Sequence, residues 1–121
     1  MEFNEIEWHD SVLKDIQIDR SKPGYKDIVK LVVITKKETR LNLIFESVYR
    51  ADLQMNFNII AEETIRSAEM RVKDKLLSSL IKKWKVISQE SNNIKLFEIN
   101  ANSTNSTIRI YALRCLIENY Q

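Results

Sequence analysis

The chain has 121 residues, which fits one compact domain over residues 1–121 and excludes two independently folded halves of ordinary size. It is 44% hydrophobic and 30% charged with a net charge of +2, so it has apolar material for a core and does not have the composition of a disordered chain. A single cysteine, a single histidine and a single glycine exclude an internal disulfide, a two-histidine metal site and a glycine-rich phosphate loop, and we expect no metal and no cofactor.

Strand patterns fill the first part of the chain. Apolar spacing predicts one short strand over residues 3–8 and a second over residues 13–18, with a polar break between them. Ser21–Gly24 contains the only proline and the only glycine, which predicts a turn. The clearest hairpin follows, because an apolar run ending at Ile34 passes a polar corner and returns through Leu41–Phe45.

The middle of the chain combines a clear strand with an ambiguous segment. Residues 53–59 alternate strictly between apolar and polar, which predicts a strand with one buried and one wet face. The next apolar residues fit one long amphipathic helix from Ile65 to Trp84, or alternatively a turn and a strand before a shorter helix. We favour the shorter helix, which begins with Asp74 as its N-cap and ends at about Val86.

Two more apolar segments, residues 94–99 and 108–113, flank a stretch rich in Asn, Ser and Thr and predict a final hairpin. The predicted fold class is therefore α+β, with a mainly antiparallel sheet of about seven or eight short strands and one main helix packed on one face. Cys115 lies in an apolar run, where a buried small hydrophobic residue is expected.

Membrane and export signals are absent from the sequence pattern. The longest apolar run, Leu31–Ile34, is strand-sized and far below the ~20 residues that span a bilayer. Residues 1–5 show neither the basic start nor the apolar stretch of a secretory signal. We therefore expect a cytoplasmic protein without a membrane partner.

The first candidate site is Trp8-His9-Asp10-Ser11. Its imidazole, carboxylate and hydroxyl resemble parts of a catalytic relay, but neighbouring side chains in a strand or turn point in different directions. The simpler interpretation is structural, with Asp10 and Ser11 bonding the backbone of a tight turn and Trp8 anchoring that turn to the sheet. An enzyme would need His9 with Asp10, or the pair Glu62–Glu63, in a concave pocket; we expect no enzymatic activity.

The second candidate site is the basic stretch of residues 71–85, which contains six basic residues and one acid. Lys82, Lys83 and Lys85 lie at its end, where cations favour a helix C-terminus and could also neutralise phosphates. Trp84 belongs to the apolar helix face and is better placed in the core than against a base. A solvated basic face is the simpler interpretation, and nucleic-acid binding is the alternative function.

The segment Ile6–Leu13, which carries Trp8-His9-Asp10-Ser11, is followed by Ile16, Ile18 and a hairpin ending in Leu43–Tyr49. These features resemble a broad group of small bacterial proteins, some of them similar to immunity proteins of polymorphic-toxin systems. The resemblance implies a non-enzymatic binder with an antiparallel sheet, whose role would be to bind and block a cognate toxin. It carries over no catalytic residue.

We therefore predict a protein-binding module in which polar sheet positions or the acidic first strands dock a protein partner. Residues 1–20 hold six acids and two bases, which makes that end the acidic one. A homo-oligomer formed through a free sheet edge stays open as a second kind of association.

Overall fold

A computed structural model describes residues 2–120 and shows one six-stranded antiparallel sheet in the order β1-β2-β3-β6-β5-β4. The strands are β1 (Val12–Lys22), β2 (Lys26–Ile34), β3 (Arg40–Gln54), β4 (Ile65–Arg71), β5 (Lys95–Ala101) and β6 (Thr107–Tyr120). One α-helix, α1 (Lys75–Trp84), joins β4 to β5, and 3₁₀ turns form at Phe3–Glu5 and Gln89–Asn93. The α+β class and the antiparallel sheet are confirmed, but the number of strands is six and not seven or eight.

The predicted first strand is wrong. Residues 3–5 form a 3₁₀ turn, and extended chain leads from it to β1. Phe3, Ile6 and Trp8 are all buried, although a strand would point positions 3 and 6 to opposite faces. The irregular backbone turns all three side chains toward one core.

The predicted strands at residues 41–45 and 53–59 are one strand, β3, as far as Gln54. Ser47 adopts a left-handed backbone conformation with φ of 52°, and the register to β6 shifts between Val48 and Arg50. This bulge lets a single long strand bend where the sequence suggested a break.

Residues 55–60 leave the sheet, so the prediction of a strand ending at Ile59 is wrong in this part. The Asn56 backbone N–H donates to Ser106 Oγ at 2.9 Å, and the Asn56 side chain donates to the Thr104 carbonyl at 2.9 Å. Asn58 then takes a left-handed conformation with φ of 71°. These side-chain bonds replace the ladder of a strand; Met55 still packs against the core, whereas Phe57, Ile59 and Ile60 turn outward.

The ambiguous segment is a strand, β4, and the long-helix alternative is wrong. The shorter helix begins as predicted, because Asp74 Oδ2 accepts from the Leu77 N–H at 3.1 Å. The helix ends at Trp84, whose carbonyl accepts from the N–H groups of Ile87 and Ser88. The final hairpin is confirmed as β5 and β6, with β6 reaching Tyr120.

Apolar side chains lie on both faces of the sheet. On one face the rings of Phe3, Phe45 and Phe97 meet at centroid distances of 5.1–6.4 Å, and Trp8 lies 4.7 Å from Phe3. On the other face α1 packs Leu77 and Leu80 against strand residues. No helix within residues 2–120 has the length and hydropathy to cross a membrane.

Candidate functional site

Trp8 and Ser11 are internal to the fold. Trp8 is 5% exposed and its ring Nε1 donates to the Phe3 carbonyl at 2.9 Å. Ser11 is fully buried and its Oγ donates to the Glu7 carbonyl at 2.9 Å. Between them, Asp10 adopts a left-handed conformation with φ of 66°. The signature therefore forms a hydrogen-bonded corner, as predicted for Trp8 and Ser11, whereas the Asp10 carboxylate lies beside His9 and Lys36 instead of bonding the turn backbone.

This corner belongs to the N-terminal segment, residues 3–13, which joins the two outer strands of the sheet. The Asn4 side chain exchanges two hydrogen bonds with the Met70 backbone in β4, at 2.7 and 3.2 Å. Farther along, the Asp10 N–H donates to the Ile65 carbonyl and the Ile65 N–H donates to the Ser11 carbonyl. Val12 and Thr64 then form a β-bridge. The sheet therefore curls until β1 and β4 meet, and the N-terminal segment covers the β4 edge.

His9 and Asp10 point outward. The His9 side chain is 70% exposed and its Nε2 lies 3.7 Å from Asp10 Oδ2. Thr104 donates hydrogen bonds to the Glu63 carboxylate, and Glu62 pairs with Lys14 at 3.1 Å. None of these acids or the imidazole lines either of the two concave regions described below, so the enzymatic hypothesis gains no pocket at its candidate residues.

A different region carries unsatisfied strand backbone. The pairing of β2 with β3 ends at Ile28 opposite Glu46, whereas the pairing of β3 with β6 continues to Gln54. Within the described residues, the part of β3 beyond the bulge therefore has a strand neighbour on one side alone. We call residues 48–54 the open half-strand. Its outer side presents free main-chain donors and acceptors, the usual template for another strand.

The open half-strand forms one wall of a cleft of about 690 Å³, a volume typical of ligand pockets. The opposite wall is the end of the β1–β2 hairpin, and Trp84 and Glu90 close a third side. Much of its lining is apolar: Ile18, Tyr25, Val29, Val48, Ala51 and Leu53. Tyr25 is 95% exposed and Ile18 is 53% exposed, so large apolar surface at this mouth faces water.

Charges at the cleft are mostly fixed in local pairs. Asp19 accepts from the side chain and backbone of Ser21 and pairs with Lys26 at 3.2 Å. These contacts, the Ser21 hydroxyl first, lower the pKa of Asp19 to about 2, so its carboxylate stays charged at neutral pH. Arg50 similarly holds Asp52 at 2.8 Å. Arg20 and Glu90 also line the cleft and form no ion pair within residues 2–120, so its interaction capacity combines backbone, apolar surface and these two opposite charges.

The hairpin end that overhangs the cleft has a defined shape. Gly24 has a φ of 83°, which L side chains rarely adopt, and its N–H donates to the Asp27 carboxylate at 2.9 Å. The turn predicted at Ser21–Gly24 is thereby confirmed at Pro23 and Gly24, whereas Ser21 and Lys22 still belong to β1. It lies at the end of β1 remote from the Val12–Thr64 bridge, so the sheet is joined near one end of β1 and open near the other.

An uncharged apolar loop follows the open half-strand directly. We define the apolar loop as residues 55–60. Phe57 is 75% exposed, Ile59 is 51% exposed and Ile60 is fully exposed. Contiguous apolar exposure of this kind marks interaction surfaces in folded proteins.

The predicted basic site keeps its lysines in solvent. Lys82, Lys83 and Lys85 are all exposed, and none of them forms an ion pair with any residue in 2–120. Trp84 is half-buried and its ring meets Tyr49 edge-on at 5.1 Å. The tryptophan therefore packs on the sheet, as predicted, and is not displayed beside the lysines for base stacking.

A second, shallower concave region crosses the sheet beside α1. Its central acid, Glu98, pairs with Arg109 at 2.6 Å and with Arg71 at 3.3 Å. Burial, with Asp74 nearby, raises the pKa of Tyr111, whose hydroxyl has no hydrogen-bond partner among the described residues. Opposite charges neutralise each other here, so this region is an ionic network on the sheet surface and shows no excess charge for a ligand. Within residues 2–120, no cluster of three or more His, Cys, Asp or Glu could hold a metal ion.

Sequence reasoning missed the open half-strand and the apolar loop. Most of the open half-strand lies between the predicted strands at residues 41–45 and 53–59, and most of the apolar loop falls inside the second of them. The chain's other long uncharged run, 99–108, consists mainly of Asn, Ser and Thr, so the signal that could have located this region is the apolar content of the uncharged run 53–61. Its alternation looks like a buried strand, but the sheet has no partner strand left to bury it.

Comparisons with known proteins identify no relative. No protein-family model matches the chain, and no curated protein gives a significant match. The resemblance to immunity proteins is therefore an expectation from the sequence signature alone.

Proposed function

We propose that this protein is a non-enzymatic protein-binding module that takes an extended segment of its partner along the open half-strand of β3. The observation that carries this proposal is the loss of the β2 partner at Glu46 while pairing to β6 continues to Gln54. A partner segment adding there would use main-chain hydrogen bonds for affinity and side-chain pockets for specificity.

The cleft supports an extended segment better than a compact ligand. The cleft is lined from both faces of the sheet at the edge of β3. Ala51 and Leu53 pair with β6 residues of the core that contains the phenylalanine cluster, whereas Tyr49 packs with Trp84 on the face that α1 covers. Successive side chains of a strand point to opposite faces, so a bound strand would contact both walls. The cleft is thereby matched to the alternation of an extended chain.

The apolar loop extends the proposed contact. It follows Gln54 without a break, and a partner lying along the open half-strand would reach Phe57 and Ile60 next. Burial of two large apolar side chains would contribute roughly 3–6 kcal/mol before the costs of association. The loop would therefore act as the anchor beside a backbone-mediated contact.

The immunity-like expectation concerns the identity of the partner. The signature at residues 8–11 resembles that of proteins that bind and block a toxin, so we propose a toxin as the partner. In this proposal Trp8 and Ser11 act through the fold, and the partner contacts lie at the open half-strand.

The test is affinity purification of the tagged full chain from its native lysate after nuclease treatment. Ala51→Arg places a long charged side chain in the cleft, and Gln17→Arg makes the same charge change on an exposed β1 position outside it. We expect a stoichiometric protein to co-elute with the parent chain and with Gln17→Arg, and to be lost with Ala51→Arg.

Two outcomes would contradict the proposal. Equal recovery of the protein with both variants would place the contact elsewhere, and the absence of a saturable protein partner would remove the binding function. A further Phe57→Ser variant separates the two parts of the surface, because we expect it to weaken the complex without abolishing it.

Nucleic-acid binding by the basic helix is the second candidate, favoured by three exposed lysines that form no ion pair with any of residues 2–120. It predicts affinity for DNA or RNA that falls steeply with salt. Unchanged affinity after replacement of Lys82, Lys83 and Lys85 by glutamate would overturn it.

A further inference from the structure

The end of α1 combines exposed charge with exposed aliphatic surface. We define the basic end of α1 as residues 82–87. Its three lysines are exposed, and the two residues that follow them, Val86 and Ile87, are 88% and 75% exposed. No acidic residue occurs from Lys75 to Ser88, so the positive charge is not neutralised within the segment.

The local backbone holds these side chains in place. The Ile87 and Ser88 N–H groups donate to the Trp84 carbonyl at 2.9 and 3.0 Å, which fixes the turn after the helix. Trp84 itself is packed against Tyr49. The aliphatic side chains of Val86 and Ile87 are therefore presented to water by a hydrogen-bonded turn that follows α1.

We propose that the basic end of α1 docks on an anionic lipid surface. Lysines next to a membrane are attracted by its negative surface potential, and aliphatic side chains beside them enter the boundary between head groups and acyl chains. The positive charge of the lysines complements the phosphate and carboxylate head groups. Val86 and Ile87 supply an apolar contact with the acyl chains, which the head groups alone do not offer.

The same observations favour lipid over nucleic acid. A nucleic-acid strand would use the lysines, but it offers nothing apolar to Val86 and Ile87 except stacked bases. Base stacking needs an accessible aromatic ring, and the single ring of the segment, Trp84, is half-buried under Tyr49. This surface contact needs no spanning segment, and it departs from the expectation of no membrane partner, which rested on the absence of such a segment.

The experiment measures co-sedimentation of the full chain with vesicles of phosphatidylcholine alone or mixed with phosphatidylserine. Three variants are compared with the parent chain: a triple variant with Lys82, Lys83 and Lys85 changed to glutamate, a double variant with Val86→Ser and Ile87→Ser, and a control triple with Lys22, Lys36 and Lys37 changed to glutamate. The control makes the same change in net charge at exposed lysines elsewhere.

We expect the parent chain to bind the mixed vesicles and not the neutral ones. The first triple should lower the partition constant at least about 100-fold, the double variant roughly tenfold, and the control much less than the first triple. Equal losses from the two triples, or no effect of the double variant, would overturn the proposal. Absence of vesicle binding together with tight, lysine-dependent binding of a DNA or RNA oligonucleotide would assign the lysines to nucleic acid instead.

Discussion

Strand backbone is covered differently in two places, at the gap between β1 and β4 and at the open half-strand of β3. Between β1 and β4, the N-terminal segment supplies donors and acceptors to strand edges, and Val12 bridges Thr64. Beside the open half-strand, the pairing of β2 with β3 ends at Ile28, and no other strand within the described residues takes its place. The chain thus closes one gap with its own irregular N-terminal segment and leaves the other without a strand neighbour among the described residues. The main-chain hydrogen-bonding groups of a strand edge are bonded either by the same chain or by water and other chains. In the first case the edge contributes to the fold, and in the second it can contribute to an interaction.

The largest loss of stability is expected from a substitution in the N-terminal segment that closes the gap between β1 and β4, which we call the closed side. Trp8→Ala removes a buried indole and its hydrogen bond to the Phe3 carbonyl, so we expect a loss of about 3–5 kcal/mol in the free energy of unfolding. Trp84→Ala, at the half-buried tryptophan beside the cleft, should cost about 2 kcal/mol. Urea unfolding followed by circular dichroism measures both.

Equal losses from the two tryptophan changes would show that the closed side is not the more stable one. If Trp8→Ala does not fold, Trp8→Phe provides the comparison, because it keeps a ring in the core and removes the Nε1 donor.

Unfolding at alkaline pH tests whether water reaches the Cys115 thiol, which lies beside the part of β3 that pairs with both β2 and β6. Cys115 lies opposite Phe45, and burial raises the pKa of its thiol to about 12. A raised pKa of an acid means that its stabilisation is complete below the unfolded value near 8.5 and is lost as pH rises toward 12. We expect the parent chain to lose about 1.4 kcal/mol per pH unit in that window relative to Cys115→Ala.

The measurement is urea unfolding at a series of alkaline pH values under reducing conditions, with the alanine variant subtracting the titration of lysines and tyrosines. Parallel curves for the two chains would show that the thiol reaches water, which would place this part of the core among the exposed regions.

Ser11 tests the hydrogen bonding of the corner. Its Oγ is buried and donates to the Glu7 carbonyl, so we expect Ser11→Ala to cost about 1–2 kcal/mol. Ser79 donates in the same way to the Lys75 carbonyl but on the exposed face of α1, and Ser79→Ala should change stability by less than about 0.5 kcal/mol. Thermal unfolding of both variants gives the comparison, and a cost at Ser79 equal to that at Ser11 would remove the role of burial.

The sequence predicted turns and caps on both sides of the sheet and missed the open edge, for a physical reason. Turn and cap chemistry is local, so the Ser21–Gly24 turn, the Asp74 cap and the structural interpretation of Trp8 and Ser11 followed from short patterns. Strand count and edge exposure depend on which strands pair, and the alternation of residues 53–59 is the same whether or not a neighbour buries it. The cleft exists because two strands of unequal length are paired, which no local pattern records.

The smallest expected effect on stability falls on the open side, at Ala51. This residue is exposed in the cleft, so Ala51→Arg should change the free energy of unfolding by less than about 0.5 kcal/mol. Ala101 in β5 is 3% exposed and pairs with Ile65, so Ala101→Arg buries an unpaired charge and should cost at least about 3 kcal/mol. Chemical unfolding of the two variants makes a matched comparison, because the substitution is identical and the covering of the strand differs.

A large loss at Ala51 would mean that the half-strand is already covered in solution, for instance by a second copy. An unchanged free energy of unfolding for Ala51→Arg, combined with loss of partner binding, would mean that this surface contributes to binding and not to the stability of the fold.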